Sequence, residues 1–203
     1  MRPQFTIRTL MVGTAIVACL CGWIAFQRHQ IQRRRQAIAR LEDLSGPVSY
    51  YNGGSAYDYV YGIELEGQVL DKSLWTDISM LSEEARSVWL GETNVTDAEL
   101  GFLGRFRRIR HLSLCNTRVT SDGIDAISNL TSLDTLIISN TLVDDRAVPS
   151  LAKLNGLTGL NVHGTRISEA GIARLRSALP NCCICFDEQG DAREWPITAE
   201  SDG

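Results

Sequence analysis

The amino-acid sequence predicts an α/β solenoid, with short parallel strands on one face and helices on the other, preceded by one apolar N-terminal helix. Three observations predict this fold. Thr93, Thr117, Thr141 and Thr165 follow one another at intervals of 24 residues. Apolar residues recur in five columns at the same interval. A run of 17 uncharged residues, from position 10 to position 26, predicts the apolar helix.

The formal net charge of −4 is unevenly distributed. Residues 1–40 carry seven basic and no acidic side chains, residues 41–186 carry 12 basic and 18 acidic, and residues 187–203 carry one basic and six acidic. A nucleic-acid-binding body needs a basic surface, so no nucleic-acid partner is expected. The expected segments are an N-terminal tail and membrane anchor (1–27), a basic juxtamembrane helix (28–46), a tyrosine-rich cap with a degenerate repeat (47–83), the repeats with a C-terminal capping strand (84–186) and an acidic disordered tail (187–203).

The first segment contains the apolar run of residues 10–26, which would extend about 25 Å as a helix, slightly less than a hydrocarbon core of about 30 Å. Arg8 and Arg28 flank it and can reach the head groups. We interpret the run as a single membrane span. A cleaved signal peptide and a lipoprotein signal at Cys19 are the alternatives. However, no clear A-x-A cleavage site follows the run, and the residues after Cys19 stay apolar.

A basic collar follows the predicted span and is expected to contact lipid head groups. The collar consists of Arg28, Arg33, Arg34 and Arg35. More positive charge follows the span than precedes it, which favours a single-pass protein with a cytoplasmic body. The apolar stripe after the span is too short to predict a coiled coil. Thr14, Ala18 and Gly22 form a row of small residues on one helix face. Such a row allows two membrane helices to pack closely, so a homodimer is possible.

The segment 47–83 contains all five tyrosines of the chain. Residues 52–54 are a turn signal, and Tyr57, Tyr59 and Tyr61 alternate as on one face of a strand. A tyrosine row can bind a partner, but it can also cover an open end of a core. We expect such a cap here, followed by a degenerate repeat at residues 63–69.

Each repeat is predicted to contain a strand, a turn and a helix. Leu112 and Leu114 are two residues apart and face one way from a strand, whereas Ile124 and Ile127 share a helical face. Thr120 or the residue after it can cap that helix. Stacking of neighbouring units would bury these apolar sides. The strand columns are Val88, Leu112, Leu136, Leu160 and Ile184, and Leu90, Leu114, Ile138, Val162 and Phe186.

The pattern LxxLxLxxTxVTDxGLxxLxxLxxL over residues 84–186 resembles leucine-rich repeats of the ribonuclease-inhibitor-like or cysteine-containing class. The N-terminal FTIRTL before a short span resembles the start of membrane-anchored bacterial repeat proteins of planctomycete type. These resemblances imply a solenoid that binds proteins. Threonine stands where many such repeats carry asparagine, so threonine hydroxyls are expected to bond the neighbouring backbone.

In such a stack, the residues that flank the strand leucines point to the open face. The candidate protein-binding residues are Trp89, His111, Ser113, Ile137, Ser139, Asn140, Asn161 and His163. Trp89, Ile137 and His163 are the expected anchors. The chain is therefore expected to be a non-catalytic scaffold with an unknown protein partner. A structural membrane-associated spacer, in which these residues are merely exposed, is one alternative.

The second alternative is a hydrolase. Ser139, His163 and Asp187 lie 24 residues apart in one column and could act as nucleophile, base and orienting acid. The same column holds Gly91 and Cys115, and no oxyanion site is evident, so no catalytic residue is expected.

The thiols of Cys182, Cys183 and Cys185 are closely spaced, which raises the question of a zinc site. Zinc requires four converging ligands, and a strand would leave Cys183 and Cys185 on one face without a second pair. We expect a capping strand that continues the apolar columns, with reduced cysteines and neither metal nor cofactor.

Overall fold

The computed structural model describes residues 7–45, 49–51 and 59–186, with side chains described at 11, 14–43 and 62–186. The elements are α1 (Ile7–Ser45), β1 (Ser49–Tyr51), β2 (Tyr59–Glu64), α2 (Lys72–Met80), β3 (Ser87–Trp89), α3 (Asp97–Leu103), β4 (His111–Ser113), α4 (Ser121–Ile127), β5 (Thr135–Ile137), a 3-10 turn (Asp145–Ala147), α5 (Val148–Leu151), β6 (Gly159–Asn161), α6 (Glu169–Ala178) and β7 (Cys183–Cys185).

The strands of the described residues form one seven-stranded sheet in chain order, β1 to β7. β1 pairs antiparallel with β2, and every later pair is parallel. Leu136 of β5 pairs with Leu112 of β4 and with Leu160 of β6, so the 24-residue interval is the strand register. The predicted α/β solenoid of parallel strands and helices is confirmed.

The apolar columns form one continuous core that runs from Leu41 to Ile184. The loops that follow the helices add a further buried column, which the sequence analysis had not separated: Phe106, Leu130 and Leu154. Because each unit buries its apolar side only against its neighbours, the stability of the body depends on the stacking.

The threonine column closes the turn of each unit. The hydroxyls of Thr93, Thr117, Thr141 and Thr165 each donate to the backbone carbonyl three residues earlier, at 2.7 Å. These bonds lie within one unit and close its turn, so each hydroxyl bonds neighbouring backbone, as the sequence predicts.

Aspartates make several of the side-chain hydrogen bonds that cross between units. The Asp97 carboxylate accepts from both the backbone N–H and the hydroxyl of Thr120, the residue that caps α4, at 2.7 Å. Asp145 repeats this arrangement on Ser168, the residue that caps α6. A carboxylate at the start of one helix therefore stabilises the start of the next one.

This arrangement requires glycine two positions after the capped helix begins. A Cβ on Gly123 would lie 2.3 Å from Oδ1 of Asp97 and 2.8 Å from Cδ1 of Leu100. We expect Gly123→Ala to displace the carboxylate and to lower the free energy of unfolding by about 1–3 kcal/mol. The matched control is Gly101→Ala in α3, where no atom lies within 4 Å of a new Cβ. That variant should instead gain about 0.5–1 kcal/mol in urea unfolding. Equal effects of the two substitutions would contradict this explanation.

The same carboxylates predict how stability depends on pH. Hydrogen bonds from the Ser168 hydroxyl and backbone N–H lower the pKa of Asp145, and bonds from the Ser121 hydroxyl and the Arg146 backbone lower the pKa of Asp144. A lowered pKa in the folded state contributes stability above the ordinary value of 3.8, and this stability is lost as the pH falls through the folded value. Urea unfolding from pH 6 downwards should show this acid loss, and Asp145→Asn should flatten it. An unchanged acid limb in that variant would contradict the assignment.

The C-terminal half of α1 packs on the first unit and covers the end of the core. Ala37 and Leu41 are buried, and Leu41 is 0% exposed. Arg34 forms a two-pronged ion pair with Glu84, and Arg40 Nη1 lies 3.3 Å from Oδ2 of Asp77. The assignment of Arg34 to a lipid-facing collar is therefore wrong, because Glu84 occupies its guanidinium. The remaining collar residues, Arg28, Arg33 and Arg35, are exposed.

Among the residues that the structure describes, we find no helix that combines the length and the apolar character needed to cross a membrane. Part of the predicted span at residues 10–26 lies outside the described residues, because the side chains at positions 7–10, 12 and 13 are not described. The side chains of all five tyrosines and the acidic tail 187–203 also lie outside the described residues.

Candidate functional site: the open strand face

Three rows of residues cross the open face of the sheet, and the strand register sets their order. The central row is Glu64, Trp89, Ser113, Ile137, Asn161 and Cys185; the leading row is Gly62, Ser87, His111, Thr135, Gly159 and Cys183. The trailing row, just after the strands, is Glu66, Gly91, Cys115, Ser139 and His163.

The central row holds the apolar part of the face. Trp89 and Ile137 are half-buried and flank Ser113, which is 2% exposed. Adjacent rungs lie about 4.8 Å apart, so the two larger side chains cover the small one between them. The prediction that Ser113 is open to a partner is therefore wrong. Its hydroxyl lies 3.5 Å from the Cys115 sulfur and supports the face from below.

Two predicted contact residues are already engaged within the chain. The Asn161 Oδ1 accepts from the His163 backbone N–H at 3.0 Å, and the Asn140 side-chain amide donates to Asn116 Oδ1 at 3.0 Å. Asn140 is still exposed, while Asn161 is half-buried. His111 lies half-buried in the leading row and has an interaction partner.

Backbone geometry explains why asparagine occurs at positions 116 and 140. Glu92, Asn116 and Asn140 have φ between 54° and 58°, and Gly164 has φ of 67°, so each unit turns through a left-handed residue at this point. Asparagine tolerates this conformation better than most residues. A Cβ on Gly164 would lie 2.0 Å from Oδ1 of Asn140, which leaves glycine as the residue that fits. The cross-unit ladder therefore uses asparagine, one position before the threonine column.

Ser139 and His163 occupy neighbouring rungs of the trailing row. Within the described residues, no hydrogen bond joins the Ser139 hydroxyl to the His163 ring. Asp187, the third member of the hydrolase alternative, lies outside the described residues. Ser139 and His163 are thus two half-buried polar side chains on neighbouring rungs of the open face.

This face also has an acidic end, which is not among the binding residues predicted from the sequence. Glu64, Glu66 and Glu92 are exposed on the first rungs. The alternation of Ile63, Glu64, Leu65 and Glu66 could have revealed it. These residues pair with the next unit at an interval of 25, because the first unit is one residue out of step with the later interval of 24. A fixed interval of 24 residues therefore identifies this unit only as a degenerate repeat and does not align its glutamates with the later face residues.

The opposite end of the face carries the cysteines. Cys183 and Cys185 occupy the open face of β7, while Ile184 and Phe186 continue the core. Burial, with smaller effects of the neighbouring thiols, raises the pKa of Cys182 to about 12, so this thiol stays protonated. Within the described part of the chain, no three His, Cys, Asp or Glu side chains converge as metal ligands.

No protein-family model matches the sequence, and no curated protein sequence matches it. Solved structures do match. An LRR protein of Leptospira interrogans has a TM-score of 0.42 at 20% identity, over 54% of this chain and 27% of its own. Internalin C2 of Listeria monocytogenes has a TM-score of 0.46 at 23% identity, over 62% of this chain and 60% of its own. The LRR ectodomain of the receptor kinase SOBIR1 from Arabidopsis thaliana has a TM-score of 0.48 at 17% identity, over 77% of this chain and 91% of its own.

This chain thus spans about a quarter of the Leptospira protein and about three fifths of the internalin. The repeat architecture of the chain follows from its own parallel register and buried columns. In fold, the chain is similar to leucine-rich-repeat proteins.

Proposed function

We propose that this chain is a membrane-tethered, non-catalytic scaffold that binds a protein partner on its open strand face. The observation that carries the proposal is the pair of half-buried apolar side chains, Trp89 and Ile137, over the buried Ser113. The exposed Glu64 and the half-buried His111 and Ser139 lie around this pair. An apolar centre inside a polar rim is the usual anatomy of a protein interface, and tryptophan is enriched among the residues that dominate binding energy.

The dimensions of the face favour an extended segment of the partner. Six parallel rungs, β2 to β7, extend about 24 Å at about 4.8 Å per rung. A standard interface buries about 800 Å² on each partner, which is more than three-residue strands can offer. A peptide or a loop that lies across the rungs would fit the face, and a larger partner would also contact the flanking loops.

The charge of the face favours one orientation of that segment. Glu66 and Glu92 are exposed at the first rungs, close to Trp89, while the last rungs carry cysteines and no carboxylate among the described residues. We infer a segment that places a lysine or arginine beside Trp89 and neutral residues beyond Ile137. Such complementarity contributes to specificity and to the association rate.

Membrane tethering is supported by the N-terminal half of α1. Residues 10–26 carry no charge, and seven of their apolar side chains are exposed. The seven are Met11, Ile16, Val17, Leu20, Trp23, Ile24 and Phe26. A contiguous exposed apolar surface of this kind marks an interaction site. The exposed arginines that follow it favour a cytoplasmic body, because positive charge is enriched on the cytoplasmic side of a span.

The test is affinity capture of the full chain after crosslinking in native membranes. Trp89→Ala combined with Ile137→Ala should lose the captured partner. The matched control combines Val69→Ala and Leu142→Ala, which shorten two exposed apolar side chains away from the face. Retention of the same partner by both double variants would contradict binding on the face. Alkaline carbonate washing tests the tether separately, because release of the full chain would overturn anchoring and leave the binding face untouched.

A further inference from the structure

The direction of α1 relative to the body is set by its two ion pairs. Arg40 contacts Asp77 in the middle of α2, whereas Arg34 contacts Glu84, beyond the end of α2. The two helices therefore run antiparallel. Followed towards its N-terminus, α1 passes the C-terminal end of α2 and continues away from the body, and its apolar residues 10–26 project beyond that side of the solenoid.

That side is formed by the loops that lead from each helix to the next strand. We call it the helix-exit edge, and it consists of residues 81–86, 104–110, 128–134, 152–158 and 179–182. The opposite turn edge consists of residues 66–71, 90–97, 114–122, 138–146 and 162–169.

The two edges differ in charge. The helix-exit edge carries six basic and three acidic side chains, whereas the turn edge carries three basic and eight acidic side chains. Arg105, Arg107 and Arg108 account for the excess on the helix-exit edge. All three are exposed, and no ion pair among the described residues involves them. The acidic body is therefore polarised, with its basic side on the side from which the apolar helix leaves.

We propose that the helix-exit edge lies against an anionic phospholipid surface. The inference rests on the tether proposed above. Arginines within a Debye length of an anionic bilayer are attracted to it, and the carboxylates of the turn edge are repelled. Both effects orient the body in the same way. The strands then point away from the membrane and the open strand face is presented sideways, accessible to a partner at the bilayer surface.

The test uses the full chain in nanodiscs of phosphatidylcholine alone or with about 30% phosphatidylglycerol, an anionic lipid. Backbone amide exchange is followed by mass spectrometry. We expect exchange in residues 104–110 to slow by about threefold or more in the anionic discs, and the effect to vanish at about 0.5 M salt. Exchange in residues 114–122 of the turn edge should not change.

Two matched double variants locate the effect. Arg107→Gln with Arg108→Gln should abolish the lipid dependence, while Arg118→Gln with Arg166→Gln, which removes the same charge from the turn edge, should preserve it. Stable incorporation into both discs with equal exchange would overturn the surface contact and leave the tether standing. Failure to incorporate would overturn the tether and the surface contact with it. Slowed exchange in residues 104–110 that depends on residues 187–203 would mean that the acidic tail covers the edge, and this would overturn the proposal. Slowed exchange on addition of nucleic acid, without anionic lipid, would overturn it as well.

Discussion

Leu136→Ala is expected to lower the free energy of unfolding by about 2–5 kcal/mol, the cost typical of deleting a buried leucine side chain. Leu136 is 0% exposed and pairs with Leu112 on one side and Leu160 on the other. A cavity at this position weakens two stacking interfaces at once, because each unit contacts its neighbours on both sides. Urea unfolding followed by circular dichroism measures the loss.

Two controls accompany this variant. Ile184→Ala removes a residue of the same column in the last rung, where the side chain is 9% exposed and one described neighbouring strand pairs with it, so the loss should be smaller. Leu142→Ala removes a side chain that is 42% exposed and should change stability little. If the central and terminal variants lost equal stability, the coupled stack described here would be contradicted.

Trp89→Ala is expected to weaken partner binding by about 2–4 kcal/mol, which corresponds to about 30-fold to 1,000-fold in affinity. Trp89 has the largest side chain in the three rows of the open face, and the exposed Glu66 and Glu92 lie on the same first rungs. Its indole ring can pack on the aliphatic part of a basic partner side chain while the carboxylates neutralise the charge. The measurement is a titration of the full chain with the captured partner.

Ser113→Ala is the control within the same row, because its side chain is buried beneath its neighbours and should contribute little contact. Both variants should keep the melting temperature of the parent to within a few degrees, since neither Trp89 nor Ser113 belongs to the apolar core. Equal affinity of the parent and Trp89→Ala would exclude Trp89 as the anchor.

The repeat architecture could be predicted from spacing alone. A parallel sheet holds equivalent residues in register, so a buried column at 24-residue intervals defines both the strand partners and the inward side. The cross-unit caps could not be found in this way. Asp97 bonds Thr120 across 23 residues, because a helix start in one unit meets the position before the helix in the next. The docking of α1 was missed since Leu41 and Arg34 belong to no column.

For the candidate site, the sequence predicts which side chains point to the open face. Alternation along a strand identifies Trp89 and Ile137 as residues of the open face. It does not determine accessibility, which depends on the size of the neighbours, and this is why Ser113 is covered. Nor does alternation indicate which polar groups are already engaged, such as Asn161. Its carbonyl oxygen accepts from the backbone two residues later.

Site-specific photocrosslinking tests the central claim, that the open strand face is the binding surface, most directly. A benzoylphenylalanine replaces Ser139, next to Ile137 on the face, or Ala126, which is exposed on the outer side of α4. The full chain is irradiated in native membranes. We predict a crosslinked partner from position 139 and none from position 126, with the product lost on Trp89→Ala. The same partner crosslinked from position 126 but not from position 139 would contradict the account.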